Sequence, residues 1–364
     1  MSGTKHTFDI ALMPGDGIGK EITQPSFELV VRAAADQGLR LEGTQIEAGA
    51  ELYSRTGEGF PEENFARAAR ADAIFLAAMG LPEIRYPDGT EIGPQHDLRK
   101  RLELYAGVRP CITMPGLRLP LVDKRSRSLD FVIVRESTEG IFAFPRGHEL
   151  DTDAAAHNLI KVTRRICEKL FDFSFKLARR RKANGKPGKV TCIDKANVLS
   201  SMFFFRGIFD KVKSGYPEIE TGYMYVDAAA LNMVKQPWAF DVCPTENQYG
   251  DILSDLAAAL MGGMGMAPSG EIGDDHAVFQ PCHGSAPDIA GSGRANPTGM
   301  ILSGAMMLDY LGIKFENPNA VKAADRLIAA VKQAYADGNL IPYELGGRAG
   351  TREIVDAVAR QLDK

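Results

Sequence analysis

Five short apolar runs, set apart by amphipathic stretches, constrain this chain more than any other feature. "FDIALM" (8–13), "ADAIFLAAM" (71–79), "LDFVIVR" (129–135), "KVTCIDKA" (189–196) and "FDVCP" (240–244) each have the length and apolar continuity of a buried strand. Over residues 20–37, Ile22, Phe27, Val30, Val31 and Ala34 recur close to helical spacing. Helical patterns separate most of the runs. That alternation predicts an α/β fold with a substantial parallel component in its sheet. At 364 residues the chain can bury such a sheet without disulfides or structural metals, as two domains or one large α/β unit.

Two segments interrupt the rhythm. "RRRKANGKPGK" (179–189) reads as a solvated helix end and loop. "MGGMGMAPSGEIGDD" (261–275) is Gly-rich and reads as a crossing between units or a flexible active-site segment. Beyond it lie "TGMILSGAMMLDYLG" (298–312) and two amphipathic helices.

Charge and cysteine usage narrow the class of function. A net charge of −4 with no strongly basic face argues against nucleic-acid binding. The five cysteines, Cys111, Cys167, Cys192, Cys243 and Cys282, form no C-x-x-C pair and are odd in number. That suits a reduced, intracellular and hence cytoplasmic protein. The opening MSGTKHTFDI lacks a charged leader followed by an apolar stretch, so no secretory signal is expected. Apolar runs such as "AIFLAAMGL" (73–81) are too short to span a bilayer, so no membrane role is expected either.

"MPGDGIGKEI" (13–22) follows a strand and opens a helix, as phosphate-cradling loops do. Its spacing, Gly15, Gly17, Gly19, is G-x-G-x-G and not the G-x-G-x-x-G dinucleotide fingerprint, although Glu42 lies roughly where that fingerprint places a ribose-binding acid. No Ser or Thr follows Lys20, which excludes a Walker loop. A tight strand-to-helix turn remains the plain alternative.

The chemistry-bearing stretch is "NQYGDILSD" (247–255). Asp251 and Asp255 stand four residues apart, on one face of a helix. Unpaired, they repel; solvent, basic partners or a divalent cation could each resolve that. Oxygen-only ligands suit Mg²⁺ or Mn²⁺. "YVDAAALNM" (225–233) presents Asp227 at the end of an apolar strand, a possible third carboxylate. "CIDKANVL" (192–199) offers Lys195, either a salt-bridge partner or a proton acceptor whose pKa a nearby dication would depress. Arg99, Arg109 and Arg135 occupy strand-like or strand-edge contexts, and arginine forks bind carboxylates bidentately. Three arginines, a lysine and three aspartates together point to a polyanionic substrate held against a cation.

In order, "PGDGIGKEI", "LRKRLELYAGVRP", "VRESTEGI", "DKANVL", "YVDAAALNM", "NQYGDILSDLAAAL" and "HGSAPDIAGSGRANPTGMILSGAMML" run nearly the length of the chain. The set resembles the metal-dependent β-decarboxylating dehydrogenases, the isocitrate, isopropylmalate, homoisocitrate, tartrate and D-malate enzymes, nearest the isopropylmalate branch. The resemblance implies two α/β domains around a mixed central sheet, without a Rossmann fingerprint. A larger dinucleotide-binding domain would comprise 1–104 and 262–364. A smaller one, 105–261, would carry the dimer interface, an arm and the metal carboxylates. It further implies that Arg99, Arg109 and Arg135 grip substrate carboxylates and that Asp251 and Asp255 bind Mg²⁺ or Mn²⁺. Asp227 and the proton-relaying Lys195 would arrive from the partner of a homodimer. NAD would lie along His283, Gly284, Ser285, Ala286, Asp288, Ile289 and Asn296, with His283 and Asn296 at the adenine. Asp288 would meet the ribose hydroxyls, where an acid repels a 2′-phosphate. Oxidation at C2 and loss of the β-carboxylate would leave an enolate that needs a proton.

The sequence departs from that family pattern twice. The tyrosine expected after the "VRE-x-T-x-G-x" motif is Phe142, which has no proton to give. Three outcomes are open: water or another side chain protonates the enolate, product leaves first, or oxidation proceeds without decarboxylation. Before Arg99, Gln95 and His96 stand where isopropylmalate enzymes carry a leucine pair. Setting a branched alkyl group against unpaired polar groups costs roughly 1–3 kcal/mol. A hydroxy dicarboxylate with a polar or small C3 substituent, tartrate-like or malate-like, is therefore expected over 3-isopropylmalate, unless a shifted loop turns Gln95 to solvent. From another class, a non-catalytic regulatory or ligand-binding subunit has Phe142 in its favour and every retained charged position against it.

Overall fold

The computed structural model describes residues 5–144 and 154–364. In the first part, β1 (Thr7–Gly15), α1 (Gly19–Ala35), β2 (Arg40–Gln45), α2 (Ala50–Thr56), α3 (Glu62–Arg70), β3 (Ala73–Ala78), α4 (Pro94–Arg101), β4 (Ala106–Ile112) and β5 (Asp130–Glu136) follow one another. Next come α5 (Arg164–Ala183), β6 (Lys189–Asp194), α6 (Ser200–Val212), β7 (Glu220–Tyr225), α7 (Val226–Lys235), β8 (Val242–Thr245) and α8 (Asn247–Met261). The chain closes with β9 (Pro268–Ile272), β10 (Ala277–Pro281), α9 (Thr298–Lys314), α10 (Pro318–Tyr335) and α11 (Thr351–Leu362). All five expected strands form, and so does the helix expected over 20–37.

The strands make one mixed sheet in the order β2-β1-β3-β10-β9-β4-β5-β8-β6-β7. Within the group β2-β1-β3-β10 adjacent strands are parallel, and so they are within β5-β8-β6-β7. Between those groups, β9 is antiparallel to both β10 and β4, and β4 is antiparallel to β5. Along β1, Ile10 and Leu12 enter the main apolar core, and Ala11 and Met13 enter a second one with Ile74, Leu76 and Leu98. A strand covered on both faces needs continuous apolar sequence, and the runs read above have it.

Four expectations need correction. The Gly-rich 261–275 segment is not simply a crossing or a flexible loop: residues 268–272 are β9, wholly buried near the middle of the sheet. Its Pro, Ser and Gly content hides a strand that tertiary pairing on both sides enforces. Arg99 lies on α4 and not on a strand. Asp227 falls in the first turn of α7, just after β7, whose residues are half-buried or exposed. The 179–189 stretch is not wholly solvated, because Arg181 reaches inward to Asp241 (2.6 Å) and Asp130 (3.0 Å). The remaining helix-end and loop character holds, with α5 ending at Ala183.

Candidate active site

The turn from β1 into α1 braces the loop that follows β10. Gly17 has φ +54°, and a β-carbon there would collide with the Ser285 carbonyl oxygen. That carbonyl accepts from the Ile18 amide at 2.8 Å, while Ser285 Oγ donates to the Gly80 carbonyl at 2.5 Å. Asp16, fully buried, accepts from the amides of Ala50 (2.8 Å), Glu51 (3.0 Å) and Gly80 (2.8 Å). The glycines thus position a loop. Within it Ala286 sits in the left-handed region at φ +38°, a conformation that costs a residue with a side chain free energy.

Beside this loop a cavity of about 350 Å³ opens between α4, β4, β5 and α8. Gln95, His96, Arg99, Arg109, Arg135, Phe142, Asp251, Asp255, His283 and Gly284 all line it, so residues spread over almost 190 positions converge. Ser285, Ala286, Asp288, Ile289 and Asn296 do not line it, and neither do Lys195 or Asp227. Asp288 and Ile289 belong to the short 3-10 turn that extends the loop, with Asp288 exposed. Asn296 is buried, its amide nitrogen donating to Glu344 Oε1 (2.6 Å) and its oxygen accepting from the Thr298 amide (3.0 Å).

α8 carries the paired carboxylates. Glu246 caps it, accepting from the amides of Gln248 (3.0 Å) and Tyr249 (3.4 Å). Asp251 receives a hydrogen bond from Arg135 Nη1, and Arg135 Nε donates to Asn247 Oδ1 at 2.9 Å. Burial, then the like charge of Asp251, raises the pKa of Asp255. A dication between the two would relieve that repulsion, and an all-oxygen pair suits a hard metal. Asp251 and Asp255 therefore fit a Mg²⁺ or Mn²⁺ site as two of its ligands. Among the described residues no third His, Cys, Asp or Glu completes a cluster within this chain. Asp227 instead accepts from Lys195 Nζ at 2.6 Å, and that hydrogen bond lowers its pKa.

The arginines are held by partners that sequence reading missed. Glu271, 1% exposed on β9, accepts from Arg99 Nη2 at 2.8 Å and from Arg109 Nη2. Burial alone would raise its pKa, but Arg109 and Arg99 outweigh that and hold it well below the carboxylate range. Burial, with Arg99 and Arg109 nearby, brings Arg135 down to about 10. Desolvation in the cleft, then Arg99 and Arg135, holds His96 down to about 4, although its edge is open to solvent. Phe142 is half-exposed, its ring centroid 5.8 Å from the Arg135 guanidinium.

Three buried polar atoms of cavity-lining residues lack a hydrogen-bond partner among the described residues: Gln95 Oε1, Arg99 Nε and His283 Nε2. Gln95 thus belongs to the cavity wall and is not turned out on a shifted loop. His283 Nδ1 lies 2.9 Å from the Gly284 carbonyl, which can only accept. The proton is therefore on Nδ1, and Nε2 is a free acceptor suited to an amino group. With the Ser285-anchored loop, this fits a nucleotide.

The family described as isocitrate/isopropylmalate dehydrogenase matches residues 9–358. A 3-isopropylmalate/3-methylmalate dehydrogenase of Methanocaldococcus jannaschii is 41% identical over 355 residues, covering 97% of this chain and 98% of that protein. An isocitrate/homoisocitrate dehydrogenase of Thermus thermophilus is 40% identical over 357 residues, 98% of each chain. The crystal structure of isocitrate dehydrogenase from Methylococcus capsulatus superposes with a TM-score of 0.84 at 34% identity, covering 98% of this chain and 100% of that one. The chain belongs to the isocitrate/isopropylmalate dehydrogenase family, the metal-dependent β-decarboxylating dehydrogenases.

Proposed function

We propose that the chain oxidises and decarboxylates a 3-substituted malate-type 2-hydroxy dicarboxylic acid whose C3 substituent is polar or small, as in tartrate or D-malate. NAD and a Mg²⁺ or Mn²⁺ ion are its cofactors, and a homodimer is the working unit, with Lys195 and Asp227 supplied across the subunit boundary. The observation that carries this reading is Gln95 in the cavity wall, its buried Oε1 without a partner among the described residues. A substrate hydroxyl donates to it; a branched alkyl group leaves it orphaned, at roughly 1–3 kcal/mol. Neutral His96 beside it adds a second polar contact, and a relative named for 3-methylmalate supports a small substituent.

Asp251 and Asp255 would hold the cation, and the His283–Ile289 loop with Asn296 would hold the dinucleotide. When bound, the ion supplies Lewis acidity at the C2 hydroxyl and NAD⁺ accepts the hydride. Arg99, Arg109 and Arg135 orient the carboxylates, and Lys195 accepts the hydroxyl proton. Exposed Asp288 leaves the ribose edge unwelcoming to a 2′-phosphate. Phe142 offers no proton to the enolate, so half-open access beside it leaves that step to water.

A second reading, 3-isopropylmalate dehydrogenase, has the name of the Methanocaldococcus relative in its favour. Purified protein with NAD⁺ and Mn²⁺ should therefore be offered D-malate, tartrate, 3-methylmalate, 3-isopropylmalate and isocitrate, following NADH and CO₂ together. The expected result is highest kcat/KM for a small or polar substituent, with CO₂ matching NADH. Preferred turnover of 3-isopropylmalate would favour the second reading. NADH without CO₂ would limit the reaction to oxidation, and no NADH from any acid would leave a binding subunit.

A further inference from the structure

Under the three arginines lies a fixed negative charge that no substrate can displace. Glu271 is 1% exposed on the strand between β10 and β4, and it does not line the cavity. One of its oxygens accepts from both Arg99 and Arg109; the other, Oε2, is buried without a partner among the described residues. Gly107 stands in register between Glu271 on one side and Arg135 on the other, so the three positions share a sheet face. A β-carbon at Gly107 would come within 3.0 Å of Glu271 Oε2 and 2.5 Å of Ser137 Oγ. The missing side chain makes the space into which the carboxylate reaches.

We propose that Glu271 is a specificity-determining positioning residue, which sets the arginine cluster to take two substrate carboxylates and to reject a third. The proposal rests on the reading above that the cavity binds a hydroxy dicarboxylate. Three guanidinium charges line the cavity; Glu271 and Asp251 are ion-paired to them and Asp255 lines it too, so the fixed charges balance and ligand carboxylates are met by guanidinium donors, not by surplus charge. Lys100 and Glu91 also line it and offset each other. Because Arg99 and Arg109 share a single Glu271 oxygen, neither fork is closed bidentately, and each keeps donors for a ligand. A third ligand carboxylate finds no further guanidinium and meets the like charges of Asp251 and Asp255 on the cavity wall, with Glu271 buried behind the arginines.

Tricarballylate is succinate bearing one carboxymethyl group and so adds a single carboxylate; neither acid has a hydroxyl to oxidise, and the binding of both can be measured calorimetrically without metal or dinucleotide. Wild-type protein should bind succinate about tenfold more tightly. Glu271→Gln should abolish or reverse that preference, and Glu271→Asp should retain it, which a purely structural role would not produce. Tricarballylate binding as tightly as succinate to the wild type overturns the proposal, even if Glu271→Gln fails to fold. So does an unchanged ratio in a folded Glu271→Gln, or binding of neither probe. The failures separate: NADH from a dicarboxylate with an unchanged ratio removes Glu271 alone, whereas no NADH from any acid removes the underlying reading.

Discussion

Individual side chains in the cavity are set by neighbours distant in sequence. His96 illustrates the consequence for acid stability. Desolvation in the cleft, then Arg99, Arg135 and Lys100, lowers its pKa from 6.5 to about 4. Between those values the unfolded chain takes up a proton that the folded chain refuses. Stability is therefore complete above pH 6.5 and eroded as pH falls towards 4. Thermal melts should show a smaller loss of Tm over that window for His96→Gln than for the wild type. Equal losses would mean that the cleft does not hold the ring neutral. What was legible in the sequence is the spacing that sets Asp251 and Asp255 on one helix, because helical periodicity is local. Glu271 escaped notice because a lone Glu in a Gly-rich segment gives no sign that two guanidiniums will meet it.

At the scale of elements, apolar continuity marked the strands buried on both faces. β9 was missed because "PSGEI" has little strand propensity; its pairing with β10 and β4 decides its conformation. The β1–α1 turn shows a motif whose glycines permit close backbone approach. Gly17→Ala must hold a left-handed φ and displace the Ser285 carbonyl, so a cost of about 1–3 kcal/mol is expected. Its Tm should fall. Its KM for NAD⁺ should rise more than its KM for the hydroxy acid, because the loop bearing His283 is displaced first. A variant with both constants unchanged would detach the turn from that loop's placement.

For the whole molecule, the proposed dimer has a physical footprint. Leu231 and Val234 on α7 and Ile252 on α8 are 58%, 48% and 61% exposed, on helices that pack against each other and carry Asp227, Asp251 and Asp255. Apolar exposure so near the carboxylates suits a surface that a second copy covers. Sedimentation should find a dimer for the wild type and a monomer for Leu231→Asp, which should keep its circular dichroism and lose most turnover. An active monomer would end the shared-site reading. Among the described residues no helix is long and apolar enough to cross a membrane.

The sequence by itself determined the α/β class, the buried strands, the helix that aligns two aspartates and the ordered motifs of the family. These depend on local periodicity and residue chemistry, which a chain carries before it folds. Only the tertiary structure decided that Gln95 lines the cavity with an Oε1 lacking a partner among the described residues, that Arg135 pairs with Asp251, and that Glu271 lies beneath Arg99 and Arg109. Each of those depends on which strands become neighbours, and neighbours are chosen by long-range burial that no local pattern encodes.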